Sequence, residues 1–142
     1  MANSKFAMAV HILVSLGLKN QDPEQGFVSS GYLADSVNTN PVVIRRILSK
    51  LLAAGIIETQ EGKQGGARLA KAANSVNLHD VYLAVDDGQV FEFNPNKPKK
   101  SCPVSCKMKA VLSPIFNDVG QSLAQDLSAI KLSALVQKIT KE

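Results

Sequence analysis

The sequence predicts a mainly α-helical chain with a small β-hairpin and a long C-terminal helix. Three observations predict it. Apolar residues recur at spacings of three and four over residues 6–18, 44–52 and 104–127, the period of a helix with one face in a core. Residues 56–70 instead offer two short β-prone runs around the glycine-rich stretch 62–66, as a hairpin does. The 142 residues are 45% hydrophobic and 20% charged, which fits one domain, or one small domain with an appended element, and excludes wholesale disorder.

The first helix carries Phe6, Val10, Leu13, Val14 and Leu18, with Ala7 and Ala9 between them. Residues 20–26 place Pro23 and Gly26 among polar neighbours and read as a surface loop. Ser29 or Ser30 can cap a short helix over 31–37, which Asn38 ends. Asn40 is then a good N-cap, Pro41 suits the first helical position, and Gly55 stands where a left-handed terminus is wanted. Between them Ile44, Ile47, Leu48, Leu51 and Leu52 form an apolar stripe, while Val42, Arg45, Arg46, Ser49 and Lys50 take the other face.

Residues 56–59 and 67–70 read as the two strands of the hairpin. Asn77 can cap a further helix, with Asp80 three residues on and Val81, Tyr82, Ala84 and Val85 following; residues 86–88 stop it. Tyr82 and Phe91 read as core. Residues 94–100 form a polar linker in which two prolines disfavour regular structure. The long pattern that follows contains Pro114. A proline in a helix interior costs roughly 3 kcal/mol, so the expectation is a bent helix or two helices meeting near Ser113. Residues 128–139 add a last turn or two through Leu132, Leu135, Val136 and Ile139.

Helix, short helix, tight turn, helix with a basic outer face, then a glycine-tipped hairpin is the order of a winged helix-turn-helix. The expected division is 1–75 for this DNA-binding region, 76–101 for a connecting helix and sensor linker, and 102–142 for a long dimerisation helix and C-terminal helix. In such a unit the second helix of the motif enters the major groove and its exposed N-terminal side chains reach base edges. Those are Thr39, Asn40, Val42, Arg45, Arg46 and Ser49. Arginine can contact guanine in a bidentate manner, and Asn40 and Ser30 lie at helix N-termini, where donors suit phosphate oxygens. The wing contributes Lys63, Gly65, Gly66 and Arg68. The chain carries 16 Lys+Arg against 12 Asp+Glu, a net +4. Residues 29–71 hold six of these cations and three acids, so most of the excess coincides with the two elements that would touch DNA.

Nucleotide-binding, zinc-protease and nucleophile-elbow signatures are absent, and no enzyme is expected. The apolar run 6–18 is broken by His11 and Ser15 and lacks a cleavage-like flank, so neither a signal peptide nor a membrane span is expected. With two cysteines in the chain, a reducing cytoplasm is the expected compartment. His11, His79 and Met108 read as structural or solvated residues.

Residues 33–37 (Leu-Ala-Asp-Ser-Val), 40–51 (Asn-Pro-Val-Val-Ile-Arg-Arg-Ile-Leu-Ser-Lys-Leu), 54–57 (Ala-Gly-Ile-Ile), 65–70 (Gly-Gly-Ala-Arg-Leu-Ala) and 78–85 (Leu-His-Asp-Val-Tyr-Leu-Ala-Val) together resemble the Rrf2 family of bacterial transcription regulators. The likeness runs over nearly the whole chain in order. It implies a homodimeric, sequence-specific binder of double-stranded DNA, often a repressor, that reads a palindromic operator. It also implies that the long helix pairs subunits, here through Val111, Ile115, Val119 and Leu123, and that the preceding linker hosts a sensor. A winged-helix module that binds protein and does not read DNA is the alternative.

Two departures from the family pattern stand out. Cluster-binding members carry three cysteines near a C-x5-C-x5-C spacing; here Cys102 and Cys106 stand at a C-x3-C spacing, and Met108 and Pro114 occupy the sixth and twelfth positions after Cys102. A [2Fe–2S] cluster takes four thiolate or imidazole ligands, so no cofactor is expected. The second departure is Glu61, where members often carry an arginine before the first wing glycine; Lys63 and Arg68 are the cations that remain. Cys102 and Cys106 lie at the start of the long helix among Lys97, Lys99, Lys100, Lys107 and Lys109, with no acid between Lys97 and Lys109. That setting suits a thiol switch.

Overall fold

The computed structural model describes residues 4–21, 26–86 and 90–141. Among the described residues six α-helices and one hairpin follow in the order α1 (Lys5–Lys19), α2 (Ser30–Val37), α3 (Pro41–Ala53), β1 (Ile57–Gln60), β2 (Gly66–Leu69), α4 (Leu78–Val85), α5 (Pro103–Ser128) and α6 (Leu132–Thr140). A 3-10 turn spans Ala73–Ser75. The mainly helical class and its two-stranded antiparallel wing are as the sequence predicts. No described helix is long and apolar enough to cross a membrane.

Local chemistry sets the helix boundaries. Ser29 Oγ accepts from the backbone N–H of Tyr32 at 3.1 Å, so it is Ser29 that caps α2, and Ser30 is its first helical residue. Asn38 ends α2 in the left-handed region at φ 62°, a conformation asparagine tolerates better than most residues. Asn40 Oδ1 then accepts from the Val42 N–H at 2.8 Å, and Pro41 opens α3 where a missing N–H costs nothing. Gly55, at φ 76°, turns the chain into β1. Asn77 caps α4 by accepting from the Asp80 N–H at 2.9 Å.

The core gathers round α1. Ala9, Ile12, Leu13 and Leu16 are fully buried, together with Leu33 of α2, Ile44 and Leu51 of α3, Ala67 of β2 and Val81 of α4. Leu52 departs from expectation. It lies about 80° round the helix from Ile44 at 100° per residue, at the edge of the stripe, and is 45% exposed.

The hairpin is held to this core from its far side as well. Gly66 has φ 146°, and a Cβ there would stand 2.0 Å from the Val28 carbonyl oxygen. Only glycine permits the approach that lets Val28 and Ala67 exchange backbone hydrogen bonds of 2.8 Å.

The C-terminal segment divides into two helices with different surroundings. α6 returns to α1, burying Leu132 and Val136. Gly17 of α1 admits it, since a Cβ there would lie 2.7 Å from Val136 Cγ2. Backbone hydrogen bonds from Leu132 to Val76 at 2.8 Å and from Leu78 to Ile130 at 3.0 Å stitch the start of α6 to the start of α4.

Between them α5 runs for 26 residues, about 39 Å at 1.5 Å per residue, and buries none of its side chains fully. Pro114 does not split it. Pro114 and Ala110 are both exposed, so water can hydrate the carbonyl that the proline leaves without a donor. The linker after α4 runs along the outside of α5, and Phe91 is 51% exposed; it is not the core residue the sequence suggested. Tyr82 is partly buried, edge-on to Phe6 with ring centroids 5.6 Å apart. The expected loop over 20–26 and the expected stop over 86–88 fall partly outside the described residues.

Candidate nucleic-acid interface

The exposed face of α3 and the wing enclose an open recess of about 500 Å³. Arg45 and Ser49 line it from α3, Lys63, Gly65 and Gly66 from the wing, and Ser30 from the first turn of α2. Six of the eleven residues read from the sequence as DNA-binding therefore share one concavity. Its walls follow from local rules: α3 turns Ile44, Ile47, Leu48 and Leu51 inward, so the side chains between them point outward. Leu52 sits at the rim, which accounts for its exposure.

Thr39, Asn40, Val42 and Arg46 surround the entrance to α3. Asn40, Val42 and Arg46 are exposed and Thr39 is partly so. The Asn40 side-chain oxygen accepts the cap hydrogen bond, which leaves its NH2 group as a donor. The α2–α3 turn is closed by hydrogen bonds from Asn38 to the Asp35 carbonyl and from Thr39 to the Ala34 carbonyl, at 3.2 and 3.0 Å. That turn fixes α2 against α3.

Arg68 is placed differently. Its register partner across the hairpin is Glu58, with which it forms an ion pair, and its guanidinium stacks 4.3 Å from the Phe27 ring centroid. It does not line the α3–wing recess. The pair is roughly half exposed, so it contributes at most about 1 kcal/mol, but it occupies the charge of Arg68. Lys63 is then the wing cation that meets the recess.

Two residues that the sequence reading missed extend this surface, one of them a cation. Lys19 at the end of α1 lies 4.7 Å over the ring of Tyr32, and both face a smaller cleft together with Ser29, Lys63 and Gln64. A cation at an amphipathic helix end beside an exposed tyrosine of the next helix is legible only once α1 and α2 are known to be neighbours. His11, on α1, makes a hydrogen bond of 3.0 Å between its Nε2 and Ser36 Oγ, a tie between helices. His79 is partly buried at the start of α4.

On α5, Val104, Met108, Val111, Ile115 and Val119 are 62%, 42%, 55%, 51% and 39% exposed. At 100° per residue they fall within about an 80° arc, a single uncovered apolar stripe. Leu123 lies about 80° round the helix from Ile115 and is partly buried, so it is not part of that arc, whereas Val104 and Met108 extend it toward the helix start.

Cys102 is the N-cap of α5, its Sγ accepting from the Ser105 N–H at 3.5 Å. The Cys106 thiol donates toward the carbonyls of Lys99 and Lys100 at 3.5 and 3.6 Å. Among the described residues no three His, Cys, Asp or Glu side chains stand together as a metal site. Two thiols fall short of the four ligands that a [2Fe–2S] cluster takes, and the donor set of one chain does not fit that group.

The family model for Rrf2, described as an iron-dependent transcriptional regulator, matches residues 2–138. YwnA of Bacillus subtilis, described as an HTH-type transcriptional regulator, is 34% identical over 140 residues, which is 98% of this chain and 99% of that protein. A protein crystallised under the description of a DNA binding protein is 34% identical, with a TM-score of 0.71 over 93% of this chain and 98% of the other. A transcriptional regulator from Lactobacillus plantarum superposes with a TM-score of 0.77 at 25% identity, covering 98% of this chain and 91% of that one.

Proposed function

The chain belongs to the Rrf2 family of DNA-binding transcriptional regulators, and on that premise we propose that it acts as a homodimeric repressor that reads a palindromic operator through α3 and the wing. The observation that carries this reading is the α3–wing recess, where Arg45, Ser49 and Lys63 meet the N-terminal turn of α2.

In this reading α3 enters the major groove. Arg45 and Arg46 reach guanine edges, Asn40 and Ser49 offer shorter polar contacts, and Val42 meets thymine methyl groups. Thr39 and Ser30 face phosphates at the ends of α3 and α2, and Lys63 neutralises a phosphate beside the groove. Gly65 and Gly66 keep the wing tip free of side chains and hold it at its place on the core. Phosphate contacts set position and the arginines set sequence.

Dimer formation follows from α5. A stripe of five large apolar side chains is too extended to be an ordinary scatter of surface hydrophobics. A second α5 related by a two-fold axis would cover it, the commonest symmetry of homo-oligomers. The paired subunits would present two α3 helices to half-sites one or more helical turns apart. Cys102 and Cys106 stand where the linker joins α5. Oxidation that caps either thiol or cross-links subunits there would move α5 and shift the two α3 helices out of register.

A mobility-shift titration against the DNA upstream of the protein's own reading frame, at fixed salt, tests the reading. The expected result is a retarded complex that survives excess competitor of scrambled sequence and contains two chains per operator. Equal affinity for operator and scrambled DNA at every salt concentration would overturn it.

A further inference from the structure

Three of the five phenylalanines of the chain meet where the linker crosses α5. Phe91 and Phe93 each pack tilted against Phe116, with ring centroids 5.2 and 5.1 Å apart. The cluster does not close into a core: Phe91 remains 51% exposed, and a recess of about 380 Å³ opens beside the rings. Lys109 holds its ammonium 5.3 Å over the Phe93 ring, which fixes one end of the cluster.

Gly120, one helical turn after Phe116, lines the recess. A glycine inside a helix costs about 1 kcal/mol relative to alanine. Gly17 is explained by the close approach of Val136. Gly120 is not, because a Cβ there would meet nothing within 4 Å. What the missing side chain leaves is open space in the recess that the phenylalanine rings also line. Asn117 and Gln121, both exposed, stand at its rim, and their amides can donate as well as accept.

We propose that this recess is an effector site for a small, uncharged, planar aromatic molecule carrying an amide or hydroxyl group. Ring faces prefer an offset or edge-on aromatic partner, and this open recess sets three such rings beside the polar side chains of Ser113, Asn117 and Gln121, a combination suited to a ligand with one aromatic face and one polar group. Its size excludes large cofactors. At 100° per residue Gly120 lies about 140° round α5 from Ile115, so an occupied recess leaves the uncovered apolar stripe free for a second subunit. A molecule wedged there separates the linker from α5. Resting on the proposed DNA-binding reading, that displacement makes the site a control point for operator affinity.

Benzamide is the probe, added to the full-length protein with 13C-labelled phenylalanine and followed by aromatic NMR. The expected result is saturable shifts of the Phe91, Phe93 and Phe116 rings, with Phe6 and Phe27 unmoved. Cyclohexanecarboxamide, with the same amide and no aromatic face, should bind weaker by about threefold or more. Gly120→Leu fills the recess with a helix-favouring side chain, so it should abolish the shifts while leaving the melting temperature equal or higher. Absence of saturable shifts, or shifts that persist in Gly120→Leu, would overturn the site. So would a Gly120→Leu protein that turns monomeric without ligand, since the recess would then be where a second copy packs. A parallel operator titration separates the two proposals. Ring shifts with unaltered operator affinity overturn the regulatory role alone, and failure to bind any operator overturns the DNA-binding reading while the ring shifts still report the site.

Discussion

Substituting Ile115 by lysine tests the role of α5 with a magnitude that the structure sets. Ile115 is 51% exposed in the single chain, so the substitution removes little from the folded subunit. Burying a whole isoleucine side chain is worth about 1.5–3 kcal/mol; covering the exposed half in a dimer is therefore worth about 1 kcal/mol per copy. Two-fold symmetry counts it twice, and each lysine adds about 1 kcal/mol or more for taking its charge to the edge of an apolar seam. The sum is about 4 kcal/mol, a rise in the dimer dissociation constant of roughly a thousandfold. Sedimentation velocity over a dilution series reads it directly. Ala110→Lys, exposed and on the opposite side of α5, is the control and should leave the constant unchanged. A thermal melt of the Ile115→Lys monomer should show retained cooperative folding. A dimer of wild-type strength in Ile115→Lys, or a wild-type protein that is monomeric at every concentration, would refute the reasoning.

Other substitutions probe the wing and the thiols. Lys63→Ala should weaken binding to all DNA sequences alike and reduce the slope of log affinity against log salt by about one unit, read by anisotropy at several salt concentrations. Gly66→Ala places a Cβ 2.0 Å from the Val28 carbonyl, so it should destabilise the fold by about 2 kcal/mol or more and lower Tm by about 5 °C or more in calorimetry. Mild hypochlorite should lower operator affinity of the wild type and reductant restore it. Cys102→Ser should bind DNA normally and ignore the oxidant; an equal response in that variant would remove Cys102 from the account, and an equal response in Cys102→Ser/Cys106→Ser would remove both thiols.

What could be read from the sequence was local. The boundaries of α3 are written in Asn40, Pro41 and Gly55, because caps and left-handed positions depend on residues a few places apart. The wing and the cap of α4 are legible for the same reason, and Arg45 and Ser49 follow once the inward stripe of α3 is known. What escaped depends on register or on packing between distant segments. The neutralisation of Arg68 by Glu58 needs the strand pairing. The exposure of Phe91 needs the path of the linker over α5, and the return of α6 to α1 needs the gap that Gly17 leaves. Leu52 lies at the margin of its stripe, where periodicity alone assigns either face. The continuity of α5 through Pro114 depends on a solvent-facing carbonyl, which the spacing of apolar residues does not reveal.

The central claim is that Arg45, on the exposed face of α3, reads a base in each half-site. The measurement that tests it is the affinity of wild type and Arg45→Ala for the operator and for each of its single base-pair variants, at one fixed salt concentration. Loss of a bidentate arginine contact is worth about 1–3 kcal/mol and the dimer loses one in each half-site, so Arg45→Ala should lose roughly thirtyfold to ten-thousandfold on the operator. It should also become indifferent to the base pair at one position of each half-site while discriminating normally elsewhere. If Arg45→Ala discriminates as the wild type does at every position, α3 does not read DNA through that face.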